Sequence, residues 1–361
     1  MLISLFFLLD ALPLTSGFGV RMPSPLISQS SLQMTYRKDL VTDLELPNLT
    51  GNTLEAIVGG NAEEGWIVEP CHLKELLPVA SARKCQIYLA QVGNNPDQNE
   101  ESSLAIVKLS ANIGAIKWEA SAYQLLNDVL SERDRSAFVH TFGMVQPSES
   151  TSNCAGLIME RGTDNLRFQI RKKGAFRGQK LKEGFYRVIK IVNALHKHNF
   201  VWTEIKAENF VVLYGQHTLL KGIDLESVVP VNHYLKAYSA EACPPEFPAQ
   251  EIYRSLPKIK GTTNFDVWGL GMVLFEMATG KPLYEAGLQD IEYIRSELIN
   301  IDATLERAHQ KLRLGVPSGA REIVQACLAK DPNDRPSCEE LLANPYFAGF
   351  EANSYADISV V

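Results

Sequence analysis

The sequence predicts an α+β fold in two lobes, a small sheet-rich one followed by a larger, mainly helical one. Three observations predict it. β-rich runs joined by polar loops fill the stretch from about Leu76 to Met159, and helical spacing takes over from Leu181. Residues 265–279 are apolar nearly all round, as a central buried helix requires.

In chain order, Met1 opens an apolar run over residues 2–9, too short to span a bilayer, which needs about 20 residues. Thr15-Ser16-Gly17 follow, so residues 1–17 read as a signal-like segment. Residues 18–40 are Ser-rich and acid-poor, with Arg21, Arg37 and Lys38, which is the composition of a transit peptide or a disordered tail. Together they resemble the two-part presequence of algae whose plastids lie inside extra membranes, which implies a plastid location; the alternative is the secretory pathway.

Residues 41–75 carry turn signals at Asn48, Gly51-Asn52 and Gly59-Gly60-Asn61 and read as an extension leading into a folded domain. Residues 85–92, 104–109, 137–144 and 155–159 read as strands. Residues 118–130 read as one helix, with Ala122, Leu125, Leu126 and Val129 on a single face. Leu181, Phe185, Val188, Ile189, Val192 and Leu195 then recur at helical spacing, and a strand is expected over 210–214. Ser337-Cys338-Glu339-Glu340 is a capping box opening a helix that stops at Asn344-Pro345, and residues 351–361 form a tail.

Composition narrows the function. With 361 residues, 45% hydrophobic and 21% charged, the chain is long enough for a sizeable core and has ordinary globular composition. Its net charge of −7 argues against nucleic acid as the main partner. No segment beyond the presequence reaches transmembrane length, so no integral membrane segment is expected. The six cysteines form no CxxC pair and no zinc spacing, and read as small buried hydrophobes.

The chemistry concentrates in Glu204-Ile205-Lys206-Ala207-Glu208-Asn209, between the helix ending near His196 and the following strand, with Asp224 beyond an apolar-basic run. A carboxylate, a lysine, an amide and a second acid on loops suit phosphoryl transfer: one acid orients a hydroxyl, the lysine neutralises phosphate charge, and hard oxygens hold Mg²⁺. The stretch LHKHNFVWTEIKAENFVVL resembles the catalytic loop of eukaryotic-type protein kinases. Ile223-Asp224-Leu225-Glu226 resembles their D-F-G segment, and Pro244-Pro245-Glu246 resembles A-P-E. Asp266 to Gly271 resembles the start of the buried central helix, and Cys327 to Pro336 the C-terminal signature. Order and spacing together make the resemblance specific, and with the first lobe it covers residues 76–350, the first lobe as 76–160 and the second as 161–350.

The resemblance implies a bilobal kinase-like fold with an antiparallel-sheet N-lobe, ATP and Mg²⁺ as cofactors, and a protein substrate or binding partner. It makes Lys108, in Ala105-Ile106-Val107-Lys108, the partner of the α- and β-phosphates and Glu119 the acid that pairs with it. Ile87, Ile106, Met159 and Glu160 are placed around the nucleotide, Glu204 and Lys206 in catalysis, and Asn209 and Asp224 on the metal. Ser239 falls where Ser/Thr-specific kinases carry a threonine contacting the catalytic loop. Glu246 and Arg335 resemble a buried ion pair, and Asp266 a residue anchoring the loop backbone.

Four departures stand out. Ala80, Ala82 and Cys85 occupy the three positions of the glycine-rich phosphate loop, where glycine permits close backbone approach. Glu204 stands at the catalytic aspartate. Trp202-Thr203 replace His-Arg, which removes the arginine that pairs with an activation-segment phosphate. Leu225-Glu226 replace Phe-Gly, and Ile106 narrows the adenine pocket. The residues therefore support two readings, a Ser/Thr protein kinase or a pseudokinase binding module. A small-molecule phosphotransferase fits the A-P-E-like segment and Ser239 less well.

Overall fold

A computed structural model describes residues 47–61, 65–78, 85–93, 104–146, 153–213, 220–236, 238–247, 259–285 and 291–349. The signal-like and transit-like segments, Ala80, Ala82 and the 351–361 tail lie outside the described residues. The described residues divide into two compact units, one running to Gln124 and including those of Thr141–Glu160, the other holding Leu125–His140 and those from Arg161 onward.

Alternation builds the first unit. Leu54 and Ala56 of β1 (Thr53–Asn61) and Cys71 and Leu73 of β2 (Gly65–Leu77) point to one buried cluster. So do Tyr88 and Ala90 of β3 (Gln86–Val92), and Ala105, Val107 and Leu109 of β4 (Leu104–Ser110). After α1 (Ile113–Val129) and α2 (Glu132–Arg135), β5 (Thr141–Val145) and β6 (Ala155–Met159) complete the sheet. All pairings are antiparallel, in the order β1-β2-β3-β4-β6-β5.

The sheet is antiparallel, as expected, and it closes into a barrel through Ala56↔Val145 and Ile57↔Met144. The strand that closes it comes from residues read as an extension. Bulges at Ile57/Gly59, Leu73/Glu75 and Thr141/Gly143 supply the curvature, and Gly143 lets the Ile57 carbonyl approach so closely that a Cβ would sit 2.1 Å from it. Closure leaves neither β1 nor β5 an exposed edge.

Two boundaries also shift. Helix α1 starts at Ile113 because Asn112 Oδ1 accepts from Ala115 N at 3.0 Å, capping a turn that the apolar spacing from Trp118 onward does not reveal. Residues 137–140 are not part of β5. They pair instead with the second unit's Gly222, through Val139 N to Gly222 O and Gly222 N to Ala137 O.

The second unit opens with β7 (Gly162–Asn165) and α3 (Leu166–Lys173), capped by Asn165 Oδ1 accepting from Phe168 N. Then come the amphipathic α4 (Gly178–His196), β8 (Phe200–Val201), β9 (Phe210–Leu213), β10 (Leu220–Gly222) and β11 (Val229–Pro230). Helix α5 (Thr263–Thr279) is buried on nearly every side, starts on a Thr262 cap and ends at Gly280 in the left-handed region. Helices α6 (Ile291–Ile299), α7 (Ile301–Leu312), α8 (Ser318–Cys327) and α9 (Cys338–Leu342) follow, the last with the complete capping box from Ser337 and Glu340. Among the described residues no helix is long and apolar enough to cross a membrane. All six cysteines are buried.

Candidate functional site

The residues singled out above fall into two sets, one in each unit. In the barrel unit, strand alternation decides which face they occupy. Tyr88, Ala90, Ala105, Val107 and Ile158 fill the barrel, so Ile87, Ile106, Lys108 and Met159 lie on its outer face. Register pairs Ile87 with Lys108 and Ile106 with Met159, which makes them cross-strand neighbours. Helix α1 supplies Glu119, 1% exposed, whose Oε2 accepts from Lys108 Nζ at 2.7 Å. Glu160 follows β6 directly and is half-buried, and Cys85, the described member of the three glycine positions, is buried.

In the helical unit, a single carboxylate shapes the 202–209 loop. Asp266, in the first turn of α5, accepts from Trp202 N at 2.6 Å and Thr203 N at 2.7 Å, while His196 Nε2 lies 3.0 Å from it. Thr203 sits at φ 64°, a left-handed conformation that costs a β-branched residue about 1–3 kcal/mol and persists only where its surroundings enforce it. Asp266 provides that enforcement. Burial works against a charged His196, but the neighbouring Cys338 sulfur and the Asp266 carboxylate outweigh it and raise the imidazole to about 10.

Trp202, in the place of the family's histidine, is wholly buried. Its ring meets the edges of Phe138 and Phe210, and its Nε1 donates to Asp224 O at 3.1 Å. Asp224 itself is left-handed at φ 64°. The β9–β10 pairing sets Phe210 opposite Gly222, and Ile223 N donates to Asn209 O at 2.9 Å, so Asn209 and Asp224 sit at one end of the same hairpin. Asn209 Nδ2 donates to Glu204 O at 2.9 Å, which makes its side-chain oxygen the atom for a cation. An amide oxygen and a carboxylate are the hard ligands Mg²⁺ selects, so this donor set fits the ion.

Glu204 is 4% exposed. Its Oε1 accepts from Ser239 Oγ at 3.0 Å, and Lys206 Nζ donates to the same hydroxyl at 3.0 Å. Burial disfavours the Lys206 charge, yet Glu204, Asp224, Glu241 and Glu208 hold its ammonium above the ordinary lysine range. Farther from the loop, Arg335 makes a fork on Glu246 at 2.6 and 2.7 Å, donates to Ala329 O and Asn264 O, and lies over the Trp268 ring.

One residue escaped the sequence reading. Arg167, at the start of α3 and 5% exposed, donates to Glu276 at 3.1 and 3.2 Å and to Glu241 at 3.0 Å, and lies 2.9 Å from Glu208. Burial opposes its charge, but the three acids raise it further above the usual arginine value. No motif marks it. Glu208 and Glu241 flank residues that were singled out, Asn209 and Ser239, and they are the signal that a cation had to lie nearby.

A sheet unit carrying a Lys–Glu pair, and a helical unit carrying an acid–lysine–asparagine loop anchored on a central helix, define a kinase-like domain. A model of the protein kinase domain matches residues 103–347, and the chain belongs to that family. The match begins after β3, so β1 to β3 lie outside it. Dual specificity protein kinase Ttk of Danio rerio is 26% identical over 203 residues, covering 55% of this chain and 20% of that protein. Cyclin-dependent kinase-like 4 of Mus musculus is 24% identical over 201 residues, 47% and 55% of the two chains. Mitogen-activated protein kinase kinase kinase 2 of Arabidopsis thaliana is 22% identical over 268 residues, 73% and 39%. This chain thus spans between a fifth and just over half of the length of these relatives.

Proposed function

We propose that this chain is a divergent protein kinase that transfers the ATP γ-phosphoryl group to a serine or threonine hydroxyl of a protein substrate. The observation that supports it best is the Ser239 hydroxyl, which stands 3.0 Å from both Glu204 Oε1 and Lys206 Nζ. Despite its extra methylene, Glu204 reaches a hydroxyl at the distance proton transfer needs. In the proposed reaction Glu204 takes the proton of the substrate hydroxyl as its oxygen bonds to the γ-phosphorus and the bond to ADP breaks. Lys206 offsets the charge on the transferred group, and Lys108, oriented by Glu119, meets the α- and β-phosphates. A Mg²⁺ ion held by Asn209 and Asp224 supplies the remaining charge neutralisation when bound.

A phosphoryl-transfer assay tests this. Glu204→Ala is expected to lower the rate by about 10²-fold or more, the weight of a general base; equal transfer by both proteins removes Glu204 from the role. The buried Cys85 at a glycine position favours a second reading, a pseudokinase that binds partners with a weakened phosphate grip. No transfer by the parent protein, with nucleotide binding retained, would select that reading. For location, we propose plastid import directed by residues 1–40. A fluorescent protein fused to that segment should reach the plastid, and retention in the secretory pathway would refute it.

A further inference from the structure

The helical unit contains a charge arrangement that phosphoryl transfer itself does not require. One guanidinium is shared by three acids from three separate segments. Glu208 belongs to the 207–209 turn that directly precedes β9, Glu241 to the 240–242 turn just after Ser239, and Glu276 to α5. Glu276 takes two of the guanidinium's hydrogen bonds as a buried fork, which fixes Arg167 to the central helix. Its Nη1 then faces both Glu208 and Glu241, at 2.9 and 3.0 Å. These two acids would repel each other without it.

Their location gives this meaning. Glu208 lies two residues after Lys206, and Glu241 two residues after Ser239, whose hydroxyl accepts from Lys206 Nζ and donates to Glu204. Position 203, where the family's arginine would receive an activation-segment phosphate, is a threonine here, its Oγ1 donating to Ser227 O.

We propose that Arg167 is a positioning residue that holds the 238–247 segment against the 204–209 loop, so that this part of the site is organised without phosphorylation of the segment. The proposal rests on the reading of Glu204 and Lys206 as transfer residues, but the arrangement it describes is measurable without nucleotide. Arg167 acts through Glu208 and Glu241 and touches no reacting atom. Its guanidinium does from inside the fold what a phosphate paired with an arginine at position 203 would otherwise do.

Amide hydrogen exchange on the full unphosphorylated chain, without nucleotide, tests it. In Arg167→Met, residues 238–247 are expected to exchange on the order of 10- to 100-fold faster, the weight of a charged hydrogen bond. Amides of α4 and α8 should keep their rates. Millimolar guanidinium chloride should restore the protection where equal sodium chloride does not. Glu241→Gln leaves the Arg167–Glu276 fork in place, so it keeps the test open if Arg167→Met fails to fold; it should loosen the same residues to a smaller extent. Unchanged exchange in the variants overturns the proposal. So does acceleration spread evenly over the helical unit, or a parent segment that gains protection only when phosphorylated. A parent protein with no transfer activity but with this exchange pattern would refute the kinase reading and leave the role of Arg167 standing.

Discussion

In the barrel unit, Ser110 and Glu119 are the buried polar side chains among the described residues. The helical unit buries Arg167, Thr203, Glu204, Asn209, Ser227, Asp266, Glu276 and Arg335, among others. The barrel is held by shape: alternating apolar residues fill it and three bulges bend it shut. The helical unit is held by particular atoms, because each buried donor or charge there costs several kcal/mol unless its partner is in place, on the order of 1–3 for a neutral group and more for a charge. The difference teaches where each unit tolerates change. A barrel filled by shape accepts volume-conserving swaps and rejects added bulk, whereas a network of buried pairs rejects the loss of any one partner.

The comparison is broken or sharpened most strongly at Asp266. Replacing it by Ala strands Trp202 N, Thr203 N and the His196 ring around a buried hole, and should cost about 3–5 kcal/mol in urea unfolding. A loss below about 1 kcal/mol would mean the loop is held by something else. His196 then makes the same network visible through pH. Its folded value is raised to about 10 from an ordinary 6.5, so the folded state binds the proton more tightly than the unfolded one. Its contribution is fully present below pH 6.5 and declines as pH rises through about 10. Stability profiles should therefore fall across that window in the parent protein and flatten in His196→Gln; parallel profiles would assign the slope to another group.

In the barrel, Gly143→Val drives a branched side chain into the Ile57 carbonyl and should cost about 1–3 kcal/mol by thermal unfolding. Wild-type stability in that variant would contradict closure between β1 and β5. The smallest effect is expected at Ser337→Ala, which removes the α9 cap for about 1 kcal/mol, read in the same assay.

Legibility in the sequence follows the same division. Glu204, Lys206, Asn209, Asp224, Ser239 and Asp266 stand out in the sequence because the family's spacing is local and ordered, and the fold brings Ser239 to Glu204 and Asp266 to the loop. Arg167 was not found, because its fork partner Glu276 lies 109 residues along the chain and an arginine in a basic helix carries no motif. In the barrel, burial alternates along β3 and β4, whereas β6 is apolar and buried at all five positions and shows no alternation. Closure could not be read from the sequence. Leu54, Ala56 and Val58 do alternate, but Gly59-Gly60-Asn61 immediately after them gives the stronger signal of a turn, and pairing between β1 and β5 joins residues far apart in sequence. Helix α1 began early for a local reason, the Asn112 cap ahead of Gly114.

The proposed kinase function rests on nucleotide binding, for which Lys108 is the proposed phosphate partner and Asp224 the proposed metal ligand. Thermal unfolding of the parent, Lys108→Ala and Asp224→Ala proteins with and without Mg·ATP tests it most directly. The account predicts stabilisation of the parent, about 2.7 kcal/mol at a hundredfold excess over Kd, and none in either variant. Equal stabilisation of all three, or none in the parent, would contradict it.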